Sequence, residues 1–305
     1  MLRIVCKTAA VLILCLVLLT SCSTPPDTNN EAPSLSFLWE VSSDTNTVYI
    51  LGSVHVAKAD LYPLTEAIEN AYGLSEYLVV EFNTNAVSEA EMTTLLLEKG
   101  VYPPGDSLRE NIAEDLYSRL SDRLRELDSS GLILLSMNSF KPWVLATIIT
   151  DMDYMELGYE SEYGIDTHFL EKAEADGRDI LELESAEFQL DIFDSLSDEL
   201  QIMLLEDAVD NPVTGDDMEA LFEAWSTGDV AKMEQMVFED IEEDENYRVF
   251  LTIIGDERNF QMTEMIEQYL QDDGIYFVVV GAAHLVGENG IINLLDSQRY
   301  QVTQQ

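Results

Sequence analysis

The residues best suited to chemistry are two of the chain's three histidines, because they occur in matching local sequences. Each closes a Gly-x-x-His segment that directly follows an apolar run: His55 in Gly52–His55 and His284 in Gly281–His284. Glycine lets the backbone approach a ligand closely, and an imidazole can bind a metal ion or transfer a proton. One such histidine is more often a core or capping residue. Two copies at opposite ends of a histidine-poor chain favour a shared site.

Carboxylates follow two further apolar runs. Glu81 comes directly after Leu78-Val79-Val80, and Glu182 and Glu184 close Leu181-Glu182-Leu183-Glu184. Two histidines and Glu81 would make a ligand set for a divalent metal with an open position for water. Glu184 is a candidate ligand or general base. The alternative is that these acids are solvated strand ends.

Arg258 and Asn259 open a predicted helix, and arginines are few in this chain. Arg258 could bind a substrate carboxylate or stabilise an oxyanion, or it could simply pair with a nearby acid. Asp166 and His168 stand two positions apart on a predicted helix, so they need not share a site, and we interpret His168 as a packing or surface residue. Ser53 precedes His55 by two residues, but no third member of a triad is evident.

These candidates need a sheet whose strands end together. Two strands are predicted at residues 37–41 and 47–51. A helix is predicted at 60–72, followed by a strand at 77–80 that is buried on both faces. This strand–helix–strand order is a βαβ-type unit. In open α/β sheets, ligands bind just outside the carboxyl ends of the strands. The two histidines and Glu81 are therefore expected at one sheet edge.

The middle of the chain, about 87–270, is predicted to be a large helical insertion, after which sheet character returns. The predicted helices cover 88–99, 107–127, 140–157, 164–176, 186–208, 215–226, 229–245 and 255–271. One strand interrupts them at 179–183. A buried-type strand at 274–280, a helix at 289–296 and a strand at 300–302 follow. The fold class is therefore α/β, with a central sheet built from N- and C-terminal segments.

The N-terminus reads as a targeting segment. Residues 1–21 combine a basic start, an apolar run too short for a comfortable membrane span and a small-residue end, which is typical of a signal peptide. Leu19-Thr20-Ser21-Cys22 resembles the bacterial lipobox, which would make Cys22 the acylated first residue of the mature protein. Residues 22–34 would then form a flexible tether. An ordinary secretory signal or an N-terminal anchor is the alternative.

The composition excludes several classes of function. The chain has 15 Lys+Arg against 59 Asp+Glu, a net charge of −44, which repels nucleic acids and favours cations or basic peptides unless it merely reflects a salty medium. After Cys22 there is no cysteine, so disulfides, a thiolate nucleophile and Cys-ligated zinc are excluded. A phosphate-binding loop, a His-Glu-x-x-His helix and a Gly-x-Ser-x-Gly elbow are also absent from the sequence.

Taken in order, four blocks of sequence resemble the TraB/GumN family, which includes the animal TIKI Wnt-cleaving proteases. The resemblance covers about residues 35–304. The blocks are Leu38–Val41 with Tyr49–His55, Leu61–Leu64 and Val79–Glu81; Gly164–Asp166 with Leu181–Ser185 and Gln189; Glu257–Asn259; and Val280–Gly287 with Gly290 and Tyr300.

The resemblance implies a fold like that of erythromycin esterases and ChaN-like proteins, with both Gly-x-x-His motifs at one site. It also implies divalent-metal-dependent peptide cleavage, with manganese or cobalt favoured and zinc as an alternative. The residues carried over are His55, Glu81 and His284 as metal or catalytic residues, supported by Glu184 and by Arg258 with Asn259.

Two functions follow as hypotheses. The first is a metal-dependent hydrolase of peptides or small molecules, anchored outside the cytoplasm to a bacterial cell membrane through a lipid such as palmitate on Cys22. The second is a lipoprotein that binds a peptide or small ligand without cleaving it. Handling of haem or metal through the histidines is a third, weaker interpretation. The sequence names neither the substrate nor the oligomeric state.

Overall fold

A computed structural model describes residues 35–238 and 244–305 of the chain. Six strands form one sheet within this part. They are β1 (Leu38–Ser42), β2 (Thr47–Ser53), β3 (Tyr77–Val80), β4 (Asp179–Glu182), β5 (Tyr276–Gly281) and β6 (Gln301–Gln304). The predicted signal peptide, Cys22 and the tether to residue 34 lie outside the described residues.

The sheet is mixed, with strand order β4-β3-β5-β2-β1-β6. Strands β4, β3, β5 and β2 run parallel, whereas β1 pairs antiparallel with both β2 and β6. Strand β5 lies between β2 and β3, and its register pairs Ser53 with Gly281. The predicted α/β class is confirmed. Five strands come from the two ends of the chain, and the edge strand β4 comes from its middle.

The central strands are apolar because they are covered on both faces. All six residues of β5 are buried, and so are Leu78, Val79 and Val80 of β3. At the edge, β6 alternates between exposed and half-buried positions. A continuous apolar run therefore identified the buried strands, as expected for the middle of a parallel sheet.

Fourteen α-helices are assigned within the described residues. They are α1 (Glu66–Leu74), α2 (Glu89–Lys99), α3 (Leu108–Asn111), α4 (Glu114–Leu127), α5 (Leu132–Ser136), α6 (Pro142–Glu156), α7 (Ile165–Asp176), α8 (Ala186–Asp194), α9 (Asp198–Asp210), α10 (Gly215–Ser226), α11 (Val230–Phe238), α12 (Glu245–Leu251), α13 (Glu257–Tyr269) and α14 (Ile291–Ser297). A π-helical segment, Thr252–Asp256, joins α12 to α13, and a 3₁₀ turn, Ala282–Leu285, follows β5.

Four predicted helices differ from the structure. In the helix predicted over 229–245, α11 is described to Phe238, residues 239–243 lie outside the described residues, and Asp244 has an extended backbone that begins α12. The helix predicted over 186–208 is two helices, because the Ser197 side chain accepts from the backbone N–H of Leu200 and starts α9. The helix predicted over 107–127 is divided where Ala113 adopts an extended backbone before the acidic first turn of α4. The helix predicted from residue 60 begins only at Glu66, after Pro63.

Buried apolar side chains form two separate cores. One surrounds the sheet and includes Ile50, Phe277 and Trp225, while the other lies among α4, α6, α8, α9 and α12 and includes Trp143 and Phe250. None of the helices in the described ranges combines the length and apolar composition needed to span a bilayer.

Candidate functional site

The candidate site lies at the carboxyl ends of four adjacent parallel strands. Glu184 follows β4, Glu81 follows β3, His284 follows β5 in its 3₁₀ turn, and His55 follows β2. Strand order rather than sequence order makes these residues neighbours, because β5 lies between β2 and β3. The edge predicted for them is the edge at which ligands bind in open α/β sheets.

The two histidines and Glu81 converge on Gly281. A Cβ atom placed on Gly281 would lie 3.4 Å from Oε1 of Glu81, 3.5 Å from Cδ2 of His284 and 3.5 Å from Nε2 of His55. Nε2 of His284 lies 3.8 Å from Oε1 of Glu81. The structure therefore brings together two imidazoles that are more than two hundred residues apart in the chain.

His55 is held from behind by the start of α7. Its Nδ1 lies 2.7 Å from Oδ2 of Asp166, and the hydroxyl of Ser53 donates to the other oxygen of that carboxylate at 2.8 Å. The backbone N–H of Ile165 donates to Val54 O at 3.0 Å. Gly164 permits this approach, since a Cβ there would lie 2.3 Å from His55 O. Nε2 is thus the ring nitrogen that His55 presents to the cleft.

His284 is held by an amide instead of a carboxylate. Its Nδ1 lies 2.6 Å from Oδ1 of Asn259 in the first turn of α13. Asn259 in turn donates from Nδ2 to Asn289 O at 3.0 Å, and Asn289 donates to Asp256 at 2.9 Å. The chain of hydrogen bonds fixes both the ring of His284 and the orientation of the Asn259 amide.

A buried guanidinium holds the two glutamates. Arg258 donates from Nη2 to Glu81 at 2.6 Å and to Glu184 at 2.7 Å, from Nε to Glu184 at 2.7 Å and from Nη1 to Ile254 O at 3.0 Å. Gln189 donates to both glutamates, at 3.0 and 2.8 Å. All three nitrogens of Arg258 therefore bond to protein acceptors, and the guanidinium serves to orient Glu81 and Glu184.

The surroundings give the two histidines opposite pKa shifts. Burial and then the charge of Arg258 lower the pKa of His284 to about 3. Burial also opposes the charged form of His55, but Asp166, through charge and hydrogen bond, together with the charge of Glu81, outweighs it and raises the pKa of His55. His284 is therefore neutral at physiological pH, whereas His55 holds a proton more readily than an ordinary histidine.

Glu81 stays ionised although it is almost fully buried. Burial alone would raise the pKa of its carboxyl, but Arg258, the two histidines and the Gly281 N–H outweigh burial and lower the pKa to about 2. Its Oε1 accepts from Gly281 N–H at 2.7 Å. A carboxylate with so low a pKa keeps its negative charge at physiological pH and is a weak base.

The walls of the cleft come from both hydrophobic cores. The sheet core supplies Leu221 and Met233, and the helical core supplies Ile192, Phe193 and Ile254. The cleft contains about 650 Å³ of empty space, including the part that opens to solvent. One polar end and one apolar side are what a small-molecule or peptide site requires.

The side chains of the cleft include donors of the kinds that a divalent metal ion requires. Two imidazole nitrogens and Oε1 of Glu81 are suitable donors. Arg258 contacts both Glu81 and Glu184, so one guanidinium faces two carboxylates and an excess of negative charge remains. Across residues 35–238 and 244–305, however, no three His, Cys, Asp or Glu side chains are close enough to hold an ion. The donor atoms are of the right kinds for a divalent metal ion, but the side chains that carry them would have to move closer together to bind it.

Asp166 is the site residue that the sequence reasoning set aside. Its spacing from His168 on the helix gives no reason to expect a site there, and its partner in the structure is His55, 111 positions away. Its place as the last residue of the block Gly164-Ile165-Asp166 was the signal in the sequence that could have identified it. His168 lies outside the cleft, with its ring 4.5 Å from that of Tyr62, and burial lowers its pKa. Ser53 bonds to Asp166, which agrees with its not being read as a nucleophile.

A family model describing the TraB/PrgY/gumN family matches residues 37–304. The uncharacterized protein YbaP of Escherichia coli (strain K12) is 25% identical over 248 residues, covering 81% of this chain and 87% of YbaP. An uncharacterized protein of Treponema pallidum (strain Nichols) is 23% identical over 310 residues, covering 95% of this chain and 91% of its own. No solved structure matches the chain.

Proposed function

The chain belongs to the TraB/PrgY/gumN family, and from this premise and the geometry of its cleft we propose that it is a hydrolase that adds water to a carbonyl group. The substrate class we propose is a peptide, with a small ester or amide as the other carbonyl substrate. The observation that carries the proposal is the convergence of His55, Glu81 and His284 beside Gly281 in one cleft.

The two Nε2 atoms are the groups that can activate water. They can do so by holding a divalent metal ion together with Oε1 of Glu81, or His55 can accept the proton of the attacking water directly. In the first case we propose manganese or cobalt, with zinc as the alternative. A bound metal would polarise the carbonyl and make its water more acidic.

The remaining residues of the site orient His55, His284 and Glu81. Asp166 and Asn259 hold the two imidazoles, while Arg258 and Gln189 hold the carboxylate of Glu81. Two roles were open for Arg258 from sequence: to bind a substrate carboxylate or an oxyanion, or to pair with a nearby acid. Because its nitrogens already donate to Glu81, Glu184 and Ile254, we propose that it acts by keeping Glu81 charged and in place. Glu184 completes the buried ion pair.

The location proposed for this activity is the outer side of a bacterial membrane. The support is the sequence alone, in which the lipobox-like Leu19–Cys22 would attach a lipid to Cys22. Metabolic labelling of the full chain with a fatty-acid analogue tests this proposal. Loss of the label in a Cys22→Ala variant is expected, and equal labelling of both proteins would contradict it.

We also propose that the fold is related to erythromycin-esterase and ChaN-like proteins. The support is the resemblance of the sequence and the placement of the site at the ends of parallel strands. An experimental structure superposed on members of those groups tests it, and a different strand order around the histidines would contradict it.

The hydrolase proposal is tested on residues 23–305, which retain every described element. The protein is incubated with a peptide library in the presence of Mn²⁺, Co²⁺ or Zn²⁺ or with a chelator, and products are identified by mass spectrometry. Cleavage is expected, with a loss of at least about a hundredfold in His55→Ala and in His284→Ala. His168→Ala is the matched control, because that histidine lies outside the cleft.

Two results would overturn the proposal. Undiminished cleavage by both histidine variants would mean that the cleft is not the active site. Recovery of bound peptides unaltered would favour the ligand-binding function. Metal content of the folded protein, measured with and without the two substitutions, separates the metal route from direct proton transfer to His55.

A further inference from the structure

The two histidines of the cleft have different partners but the same hydrogen-bond pattern. Nδ1 of His55 meets a carboxylate oxygen of Asp166, and Nδ1 of His284 meets the amide oxygen of Asn259. In each case the ring nitrogen farther from the backbone, Nε2, is left for the cleft. The partners come from the first turns of two different helices, α7 and α13.

The Asn259 amide has only one orientation that satisfies its neighbours. Its Nδ2 donates to the carbonyl oxygen of Asn289, so its Oδ1 is the atom that faces His284. An amide oxygen can only accept, so Nδ1 of His284 must carry the proton. In a neutral imidazole, the proton on Nδ1 leaves a lone pair on Nε2.

The Asp166 carboxylate imposes the same pattern on His55. Its Oδ1 accepts from the hydroxyl of Ser53, and its Oδ2 accepts from Nδ1 of His55. The backbone bond from Ile165 to Val54 and the missing side chain of Gly164 hold the start of α7 against the end of β2. The carboxylate is therefore held by two donors, and the helix start that carries it is fixed against the end of β2.

We propose that Asp166 and Asn259 are a pair of positioning residues that place the proton of both neutral imidazoles on Nδ1 and so aim two Nε2 lone pairs into the cleft. A proton on Nε2 of either ring would block that nitrogen as a metal ligand and as a base. The carboxylate behind His55 also makes its Nε2 the stronger electron donor of the two. The consequence for catalysis rests on the proposed function, whereas the positions of the protons do not.

The experiment reads the ring protons directly. Residues 23–305 are labelled with ¹⁵N-histidine, and two-bond ¹H–¹⁵N correlation spectra are recorded along a pH series that extends until the ¹⁵N shifts of each ring are those of a neutral imidazole. The chain has three histidines, and a His168→Gln variant identifies the signals of the third. We expect His55 and His284 in the wild type to carry the proton on Nδ1. A proton on Nε2 of either ring would overturn the proposal without any variant.

Single variants then test each partner. Asp166→Ala is expected to lower the ratio of Nδ1–H to Nε2–H forms of His55 by about tenfold or more, because a charge-assisted hydrogen bond is lost, while His284 stays unchanged. Asn259→Leu is expected to lower the same ratio for His284 and to leave that of His55 unchanged. Ser53→Ala is the matched control, because it removes the other contact of Asp166 and leaves the bond to His55.

Folding and function are kept apart in this design. Circular dichroism checks each variant, and Asp166→Leu, which is similar in size and offers no acceptor, replaces Asp166→Ala if the latter does not fold. An unchanged ratio for His55 in the folded variants would overturn the proposal. Normal proton positions in a protein that cleaves no peptide would leave this inference standing and contradict the hydrolase proposal.

Discussion

At the scale of single residues, the site depends on the buried guanidinium of Arg258, which pairs with both Glu81 and Glu184. Arg258 is 7% exposed and contacts two glutamates that are themselves buried. Removing one member of a buried ion pair leaves an uncompensated charge, which is much more costly than never having buried the pair.

Arg258→Met is therefore expected to destabilise the protein by about 3–5 kcal/mol, because Glu81 and Glu184 lose their partner. Urea unfolding followed by circular dichroism measures the change. Arg125→Met is the control, since Arg125 and its partner Asp122 are exposed, and its cost should stay below about 1 kcal/mol. Equal effects of the two substitutions would show that the buried pair does not support the fold.

A buried acid outside the cleft, Asp151, has its pKa shifted in the direction opposite to that of Glu81. Both carboxylate oxygens of Asp151 in α6 are buried, and neither has a hydrogen-bond partner within the described part of the chain. Burial raises the pKa of Asp151 well above 3.8. The neutral form then contributes stability below the unfolded pKa, and this contribution is lost as pH rises through the folded pKa.

Asp151→Asn is expected to be more stable than the wild type at neutral pH and equal to it near pH 3, because an amide carries no charge to bury. Thermal unfolding across this pH range measures the difference. Asp122→Asn, at an exposed position, should show no such trend. A stability difference that grows as pH falls would contradict the assignment.

The site residues found from sequence carry a local signal, whereas the one that was missed is identified only by a partner far away in the chain. His55 and His284 were recognisable because each carries its own local motif, and Glu81 because it ends a buried strand. Asp166 was not, since the local comparison with His168 gave no reason to look 111 positions away for His55. The partner of a side chain is a tertiary fact that helical spacing does not contain.

At the scale of elements, the site is positioned by helix starts packed against strand ends. The start of α7 approaches the backbone of His55 so closely that Gly164 has no room for a side chain. The π-helical segment before α13 places the carbonyl of Ile254 where Arg258 can donate to it. These close approaches set the distances in the cleft.

Gly164→Ala is expected to destabilise the protein by about 1–3 kcal/mol and to reduce cleavage, because the new Cβ would displace Asp166 from His55. Gly73→Ala, in helix α1 with nothing within 4 Å, is the matched control and should be neutral or stabilising by up to about 1 kcal/mol. Chemical denaturation and peptide cleavage are measured for both. Unchanged activity in Gly164→Ala would mean that this contact does not position the site.

Element types were more predictable than element ends. The apolar runs identified β3 and β5, whose burial on both faces leaves no alternation to read. The division between α8 and α9 was missed because a single capping serine, Ser197, decides it within an otherwise helical pattern. The pairing of β5 between β2 and β3 could not be read from the chain, because nothing local specifies a neighbour two hundred residues away.

At the scale of the whole molecule, negative charge dominates. The net charge is −44, and most lysines and arginines of the described residues already form ion pairs, as Lys99 does with Asp191 and Lys232 with Glu223. The unpaired carboxylates repel one another in the compact state, and salt screens such repulsion.

Raising NaCl from low concentration to about 0.5 M is therefore expected to raise the melting temperature, because screening acts within a few ångströms at that ionic strength. Differential scanning calorimetry at constant pH measures the shift. The same series at pH 4, where many carboxylates are protonated, should give a smaller shift. A melting temperature that falls with salt at neutral pH would show that ion pairs outweigh repulsion.

The position of β5 in the sheet has a consequence for biosynthesis. Strand order places β5 between the β1–β2 side and the β3–β4 side, so a nascent chain that has not yet reached Tyr276 lacks both the strand that joins the two sides and His284. The ribosome must deliver almost the whole polypeptide before the two halves can join. The cleft is therefore incomplete until the strand that carries Gly281, and His284 after it, have been synthesised.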